Sequence, residues 1–282
     1  MTFSIEGLTK RFGRREVLKG LNLTLEEGVY GLLGPNGSGK TTLLRCMTGL
    51  YPVRNGCMKA DGKPLSAFPG FFDRVGYLPQ HFGMFRDLTV QEMLALFADL
   101  KHIQRREAEE EIARCAEAVG MTDRLKSRVG TLSGGMIRRI GTAQCLLGDP
   151  KLLLFDEPTT GLDPEERLRF KNLIAGMGRG HTVLLSTHIV EDVEAVCDRI
   201  VVMNGGEILF CGSADALRER AAGKVYALAE SERDALSGAW HIQRITDDGG
   251  KRCLRVLTAE MQPFAQEQPT VEDGYVCVLK GI

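Results

Sequence analysis

The chain has 282 residues, of which 43% are hydrophobic and 26% are charged, and its formal net charge is −1. This composition is typical of a soluble globular protein, and the balanced charge excludes a general electrostatic attraction to nucleic acid. The length is sufficient for one large α/β domain and a smaller appendage.

The cysteines and the hydropathy of the chain indicate its cellular compartment. The eight cysteines are scattered and no two form a C-x-x-C pair, which argues against zinc and a disulfide framework and indicates a reducing cytosol. No signal peptide is visible at residues 1–6, and no apolar run approaches the roughly 20 residues that a membrane helix needs. We therefore predict a cytoplasmic chain that meets any membrane only through a partner.

Residues 2–30 are predicted to form strands joined by turns. The segment 21–25 alternates apolar and polar residues, as a half-buried strand does. Phe12 lies at a predicted strand end, where its ring could stack on an adenine. From the residues alone, a core position for Phe12 is the simpler interpretation.

A strand, a glycine-rich loop and a helix follow one another at residues 29–47. The loop fits the phosphate-binding pattern G-x-x-x-x-G-K-[ST], and its backbone N–H groups and the helix N-terminus would hold an anion. Lys40 is predicted to reach the β- and γ-phosphates, and the Thr41 hydroxyl to ligate Mg²⁺. The sequence therefore predicts a nucleoside triphosphate site made of Gly34, Pro35, Asn36, Gly37, Ser38, Gly39, Lys40, Thr41 and Thr42.

Between this loop and residue 131 the predicted elements change from strands to helices. Short strands and turns are expected over 51–70, and a strand over 75–80 runs into a loop at Gln80, for which a surface position is the simplest interpretation. Apolar residues then recur at helical spacing after Thr89, a possible N-cap, and a second, charged helix is expected over 105–119. Residues 85–131 are thus predicted to form a helical insertion.

The next segment carries two acidic candidates. Ser133 precedes another helix, and in isolation it is a plain N-cap. The apolar run 152–155 predicts a buried parallel strand that ends in Asp156 and Glu157. Carboxylates at the end of such a strand lie where doubly wound sheets bind ligands. With the glycine-rich loop upstream, we interpret Asp156 as the residue that holds Mg²⁺ through water and Glu157 as the group that activates the attacking water.

Two further features follow before residue 190. A turn at 161–163 leads to a helix from Pro164 through Ile174, with proline at the first helical position. A buried strand over 182–188 ends in His188, which is a candidate γ-phosphate sensor, although a lone histidine is more often structural.

Taken in order, these pieces resemble the nucleotide-binding subunit of an ATP-binding cassette (ABC) transporter. The segment Leu132–Gly135, whose Ser133 lies 23 residues before Asp156, is the most specific element, and the resemblance covers roughly residues 1–212. It implies an α/β P-loop fold with a RecA-like core, an antiparallel β subdomain and a helical subdomain at about 85–148. Residues 213–282 would form a small C-terminal α/β extension.

The resemblance also implies roles that could not be inferred from the residues considered one at a time. Phe12 would stack on adenine, and Gln80 would contact Mg²⁺ and the water. Glu157 would be the catalytic base and His188 would hold the γ-phosphate. The residues Ser133, Gly134, Gly135 and Asp163 would act at an interface with a second ATPase subunit, so that the site is shared between two chains. Met136 and Phe12 depart from the commonest residues at their positions, Gln and Tyr, without removing a group from the chemistry.

The implied function is an ATPase that dimerises over ATP and Mg²⁺ and drives a separate transmembrane permease from the inner face of the membrane. The residues around 132–164 look closest to exporters of the bacterial drug- and peptide-resistance type. Two alternatives are a soluble ABC ATPase acting on ribosomes or DNA and a non-hydrolysing nucleotide switch. The single phosphate loop argues against the first, and Gln80, Glu157 and His188 argue against the second.

The last part of the chain carries few signals. Ser213 is predicted to cap a short helix through about Arg220, and strands are expected at 225–229 and in a hairpin across 247–250. A role in regulation, dimerisation or structure alone is equally compatible with this segment.

Overall fold

The computed structural model describes residues 1–68, 70–248 and 251–282. Its centre is a six-stranded sheet that is parallel except for one edge strand. Across the sheet the order is β10 (Glu207–Gly212), β9 (Arg199–Asn204), β3 (Gly28–Leu33), β8 (Thr182–Thr187), β7 (Leu152–Asp156) and β6 (Val75–Leu78). Strand β10 pairs with β9 in the antiparallel sense. The predicted buried parallel strand at 152–155 is thus an inner strand of this sheet.

Two smaller sheets flank the centre. The N-terminal sheet is antiparallel and has the order β2 (Arg15–Leu25), β1 (Phe3–Phe12), β4 (Asn55–Ala60) and β5 (Lys63–Pro64). The C-terminal sheet is also antiparallel and has the order β12 (Trp240–Asp248), β13 (Lys251–Thr258), β11 (Val225–Ala229) and β14 (Ala265–Gln266). Strands β12 and β13 pair as predicted, but the central residues of the predicted hairpin turn, Gly249 and Gly250, lie outside the described residues.

The described helices are α1 (Lys40–Met47), α2 (Val90–Leu100), α3 (Arg105–Ala118), α4 (Gly134–Leu146), α5 (Pro164–Met177), α6 (Val190–Val196), α7 (Ala214–Glu219) and α8 (Val271–Lys280). The predicted caps Thr89, Ser133 and Ser213 each accept a hydrogen bond from a backbone N–H of the first turn. Helix α5 continues one turn beyond the predicted end at Ile174, because Ile174 and Met177 are both buried on its inner face. Within the described ranges, no helix combines the length and the apolarity required to cross a membrane.

The parallel strands are buried on both faces. Residues that alternate along β3, β7 and β8 contribute to two different hydrophobic clusters, so each strand is apolar on both sides. One cluster joins the central sheet to the N-terminal sheet and α1, and the other joins it to the helices that follow. This layering explains why the sequence shows short, continuous apolar runs here. The predicted α/β P-loop fold is confirmed by this architecture.

Candidate functional site

The glycine-rich loop connects β3 to α1 at the carboxyl edge of the central sheet. Gly37 and Gly39 have φ angles of 78° and 110°, which side-chain-bearing residues rarely adopt. At Gly34, an added Cβ would lie 2.1 Å from the carbonyl oxygen of Met203. The buried Ser38 hydroxyl has no hydrogen-bond partner among the described residues. The loop therefore has the close backbone packing and the free polar groups that a phosphate site requires.

Lys40 occupies the centre of this loop. Its side chain is only 5% exposed, and its ammonium donates to the carbonyls of Gly34, at 2.6 Å, and Pro35, at 3.3 Å. The Nζ atom also lies 3.4 Å from Oε1 of Glu157. Burial lowers the pKa of Lys40, and the neighbouring Glu157 carboxylate opposes that change. The first carbonyls of the loop, at Gly34 and Pro35, thus hold the lysine rather than line the pocket.

Asp156 lies at the end of β7, beside β8. Its Oδ1 accepts hydrogen bonds from the hydroxyls of Ser186, at 2.7 Å, and Thr41, at 3.1 Å. Its Oδ2 is buried and has no partner among the described residues. Mg²⁺ keeps most of its waters and binds through one or two carboxylates together with substrate phosphates. The free oxygen of Asp156 beside the Thr41 hydroxyl fits that requirement.

Glu157 has an uncommon backbone conformation and a crowded carboxylate. Its φ of 49° is left-handed, which costs an L-residue about 1–2 kcal/mol. Its N–H donates to both oxygens of Ser186, the hydroxyl at 3.0 Å and the carbonyl at 3.1 Å, which holds this conformation. The side chain, 6% exposed, lies between Lys40 and His188, whose Nδ1 is 3.0 Å from Oε2. The ring of His188 is more open to solvent, at 43% exposure.

Lys40, Thr41 and Glu157 border a cavity of about 470 Å³. The predicted site residues Gly34, Pro35, Asp156 and His188 are absent from its walls, and His188 lines a separate cavity beside α6. Predicted site residues among its walls are Phe12, Asn36, Gly37, Ser38, Gly39, Lys40, Thr41, Thr42, Gln80 and Glu157. Phe12 is 44% exposed and is not a core residue, so the simpler interpretation from its pattern alone does not hold. Its ring packs edge-on against Tyr51 with 5.2 Å between centroids, and the Lys10 ammonium lies over it, 5.4 Å from the ring centroid.

Sequence reasoning missed four residues of this region. Arg15 and Val17 line the cavity, Tyr51 supports Phe12, and Ser186 holds both acidic residues. Ser186 precedes His188 on β8 and could have been found from the adjacency of two parallel strands. The other three depend on how the N-terminal sheet folds over the loop, which no local pattern reveals.

The structure does not bring every predicted residue to this cavity. Ser133 accepts a hydrogen bond from the N–H of Met136, and Asp163 accepts one from the N–H of Glu166, so both cap helices. Ser133, Gly134 and Asp163 are exposed, and with Gly135 they are absent from the cavity walls. Within a single chain, the described residues therefore form two separate parts of the predicted site.

Comparisons with known proteins agree with this geometry. The sequence profile of the ABC transporter family matches residues 18–160. The chain is 38% identical over 227 residues to the Nod factor export ATP-binding protein I of Rhizobium sp. (strain N33), covering 78% of this chain and 73% of that protein. It is 34% identical over 221 residues to the linearmycin resistance ATP-binding protein LnrL of Bacillus subtilis (strain 168), covering 77% and 71%. A solved ATP-binding subunit of an ABC transporter superposes with a TM-score of 0.69 at 26% identity, covering 78% of this chain and 93% of that one.

Proposed function

The chain belongs to the ABC transporter family of ATP-binding proteins, and we propose that it drives a separate membrane permease, in the direction of export, by hydrolysing ATP between two subunits. Membership in this family makes it an ATP-binding subunit and an ATPase. One observation carries the hydrolytic part of the proposal. The carboxylate of Glu157 lies between the ammonium of Lys40 and the ring of His188, at the wall of the phosphate-loop cavity.

Each residue then has a defined task. The loop N–H groups and Lys40 bind the β- and γ-phosphates, and the ring of Phe12 stacks on the adenine. Glu157 accepts the proton of the attacking water, and His188 and Gln80 orient that water and the γ-phosphate. Thr41, Gln80 and, through water, Asp156 would hold Mg²⁺, which neutralises charge on the phosphates when bound.

The two-chain site is proposed from the exposed helix start at Ser133. Its glycines and free N–H groups form an anion-binding end, yet they are not among the walls of the chain's own cavity. A second subunit that presents this end, together with Asp163, would complete the site. The homodimer is the simplest assembly that meets this requirement.

A complementation experiment tests the shared site. Lys40→Ala inactivates the phosphate loop and Ser133→Arg blocks the opposing helix start, so each variant alone is expected to lose hydrolysis. In a mixed dimer, one of the two sites contains neither change. Mixing equal amounts should restore about one quarter of wild-type phosphate release, because random association makes half of the dimers mixed. A mixture that stays as inactive as its components would contradict a site shared between two chains.

The permease and the direction of transport are proposed from the relatives, one of which is named for export and another for resistance. Binding to inside-out membrane vesicles from the native cell tests the partner. We expect binding that is lost after the vesicles are treated with trypsin and is absent from protein-free liposomes. Equal binding to liposomes would contradict a protein partner.

A further inference from the structure

Helix α6 carries a buried carboxylate that the proposed site does not use. Asp192 is 2% exposed and lies four residues after His188. Its Oδ2 accepts a hydrogen bond from the Thr159 hydroxyl at 2.7 Å. Its Oδ1 accepts one from Arg167 Nε at 2.7 Å and lies 2.9 Å from Lys171 Nζ. One carboxylate therefore contacts three side chains from other parts of the chain.

Two of the three partners of Asp192, Thr159 and Arg167, lie at the two ends of one loop. Thr159 follows Glu157 by two residues, and Arg167 lies in the first turn of α5, where its N–H donates to the carbonyl of Asp163. The loop between them contains Asp163, the residue proposed for the subunit interface. Both ends of this loop are thus fastened to α6 by the same side chain.

Helix α6 is itself fixed from another side. Val190 and Val193 belong to the same hydrophobic cluster as Val271 and Tyr275 of α8. The first residue of α6 comes two positions after His188. A displacement of the loop relative to α6 would therefore change the position of Glu157 relative to His188.

We propose that Asp192 is a positioning residue for ATP hydrolysis, which fixes the segment of Glu157 and Asp163 relative to the helix that follows His188. The inference rests on the proposed roles of Glu157 and His188. Asp192 does not line the nucleotide cavity, so its effect is on geometry rather than on nucleotide binding.

The chemistry of the cluster supports positioning over packing. A buried ion pair is seldom more stabilising than apolar residues of the same volume, because the charges lose their hydration. Hydrogen bonds from three donors, in contrast, fix direction as well as distance. An error of about 1 Å in the placement of a reacting group, even when it arises far from the chemistry, can reduce the rate about a hundredfold.

The test compares four single variants of the full chain, and the double variant of Asp192 and Thr159, by steady-state phosphate release and by equilibrium binding of Mg-ATP, well below the unfolding temperature. Asp192→Asn removes the charge, and Thr159→Val removes one hydrogen bond while leaving all charges in place. Glu191→Gln is the matched control, because it removes a carboxylate from the adjacent, exposed position of the same helix. Glu157→Gln reports the proposed base in the same assay.

We expect Asp192→Asn to lower kcat by about 10- to 100-fold while the Kd for Mg-ATP stays within about threefold of wild type. Thr159→Val should lower kcat in the same direction, and adding it to Asp192→Asn should cause no further loss, since both act on one contact. Glu191→Gln should match wild type.

Two results would overturn the inference. The first is that Thr159→Val and Asp192→Asn both have the same kcat as the control Glu191→Gln. The other is a parallel loss of kcat, Mg-ATP affinity and thermal stability, which indicates a structural role alone. If Asp192→Asn does not fold, Thr159→Val decides between these outcomes. If Glu157→Gln hydrolyses ATP like wild type, the proposed base is wrong and the inference fails with it. If Glu157→Gln is inactive while Thr159→Val and Asp192→Asn stay active, only the inference is refuted.

Discussion

Replacing Glu157 by Gln changes the proposed base and little else. The amide has nearly the shape of the carboxylate, and the hydrogen bonds that hold the left-handed backbone come from the N–H of Glu157 to Ser186, so they remain. The amide can no longer take a proton from water. The variant also removes the anion that lies 3.4 Å from Lys40 Nζ.

The expected loss follows from the chemistry of a positioned base. General bases contribute about 10²–10⁴-fold to a rate. At about 1.36 kcal/mol for each factor of ten, this corresponds to about 3–5 kcal/mol in the activation free energy. The affinity for ATP should rise or stay the same. Lys40 keeps its contacts with two loop carbonyls, and a negative charge is removed from beside the phosphates of ATP.

The assay combines phosphate release, equilibrium binding of Mg-ATP and size-exclusion chromatography in Mg-ATP. We expect hydrolysis to fall by about a hundredfold or more, ATP affinity to be kept, and a dimer to accumulate because it cannot complete turnover. Glu165→Gln is the matched control, since it removes the same charge from an exposed side chain at the start of α5.

Wild-type hydrolysis by a monomeric Glu157→Gln variant would refute both the assignment of the base and the two-chain site. Loss of both hydrolysis and ATP binding would also refute the assignment of Glu157 as the base, because it would place Glu157 in nucleotide binding.

Three further predictions concern stability and nucleotide selectivity. Gly274→Ala should lower the free energy of unfolding, measured by denaturant titration, by about 1–3 kcal/mol, because the new Cβ would lie 1.9 Å from the carbonyl oxygen of Leu217. Gly176→Ala is the control: the space around Gly176 is open, so this change should be neutral or stabilising. Burial alone would raise the pKa of Asp192, but the hydrogen bonds from Arg167, Lys171 and Thr159 outweigh it and lower the pKa. The stability from this ionised group is present above its ordinary pKa of 3.8 and is lost as pH falls through the lowered value. The unfolding free energies of wild type and Asp192→Asn should therefore converge on acidification. A constant difference between them from pH 7 to pH 3 would contradict this prediction. Phe12→Ala should weaken ATP binding by about two- to tenfold but leave tripolyphosphate binding unchanged, as measured by calorimetry, and an equal effect on both ligands would place Phe12 outside the adenine site.

Elements with a local cause could be predicted from the sequence. The phosphate loop at 34–41 is defined by glycine spacing, and the strand ending in Asp156 by a short apolar run. The helix starts at Thr89 and Ser133 follow from side chains that bond to their own first turns. Each of these depends on a few neighbouring residues.

Contacts between distant segments could not be predicted in this way. The hydrogen bond from Thr159 to Asp192 joins residues 33 positions apart, and it exists because α5 and α6 both pack beside the central sheet. Either residue alone is an ordinary polar residue in a helix or turn. The bond from Ser186 to Asp156 is closer to prediction, since it requires only that β7 and β8 be neighbours.

The C-terminal segment shows the same dependence on tertiary packing. From the sequence, residues 213–282 were equally compatible with a regulatory, a dimerising or a purely structural role. In the fold, Val271 and Tyr275 of α8 join the hydrophobic cluster that contains Val193 of α6, and α8 lies so close to α7 that a glycine is required at position 274. Because α6 follows His188 and carries Asp192, residues that stabilise α6 also determine where these two side chains lie. Packing of α8 against α6 therefore joins this segment to the part of the chain that carries His188 and Asp192.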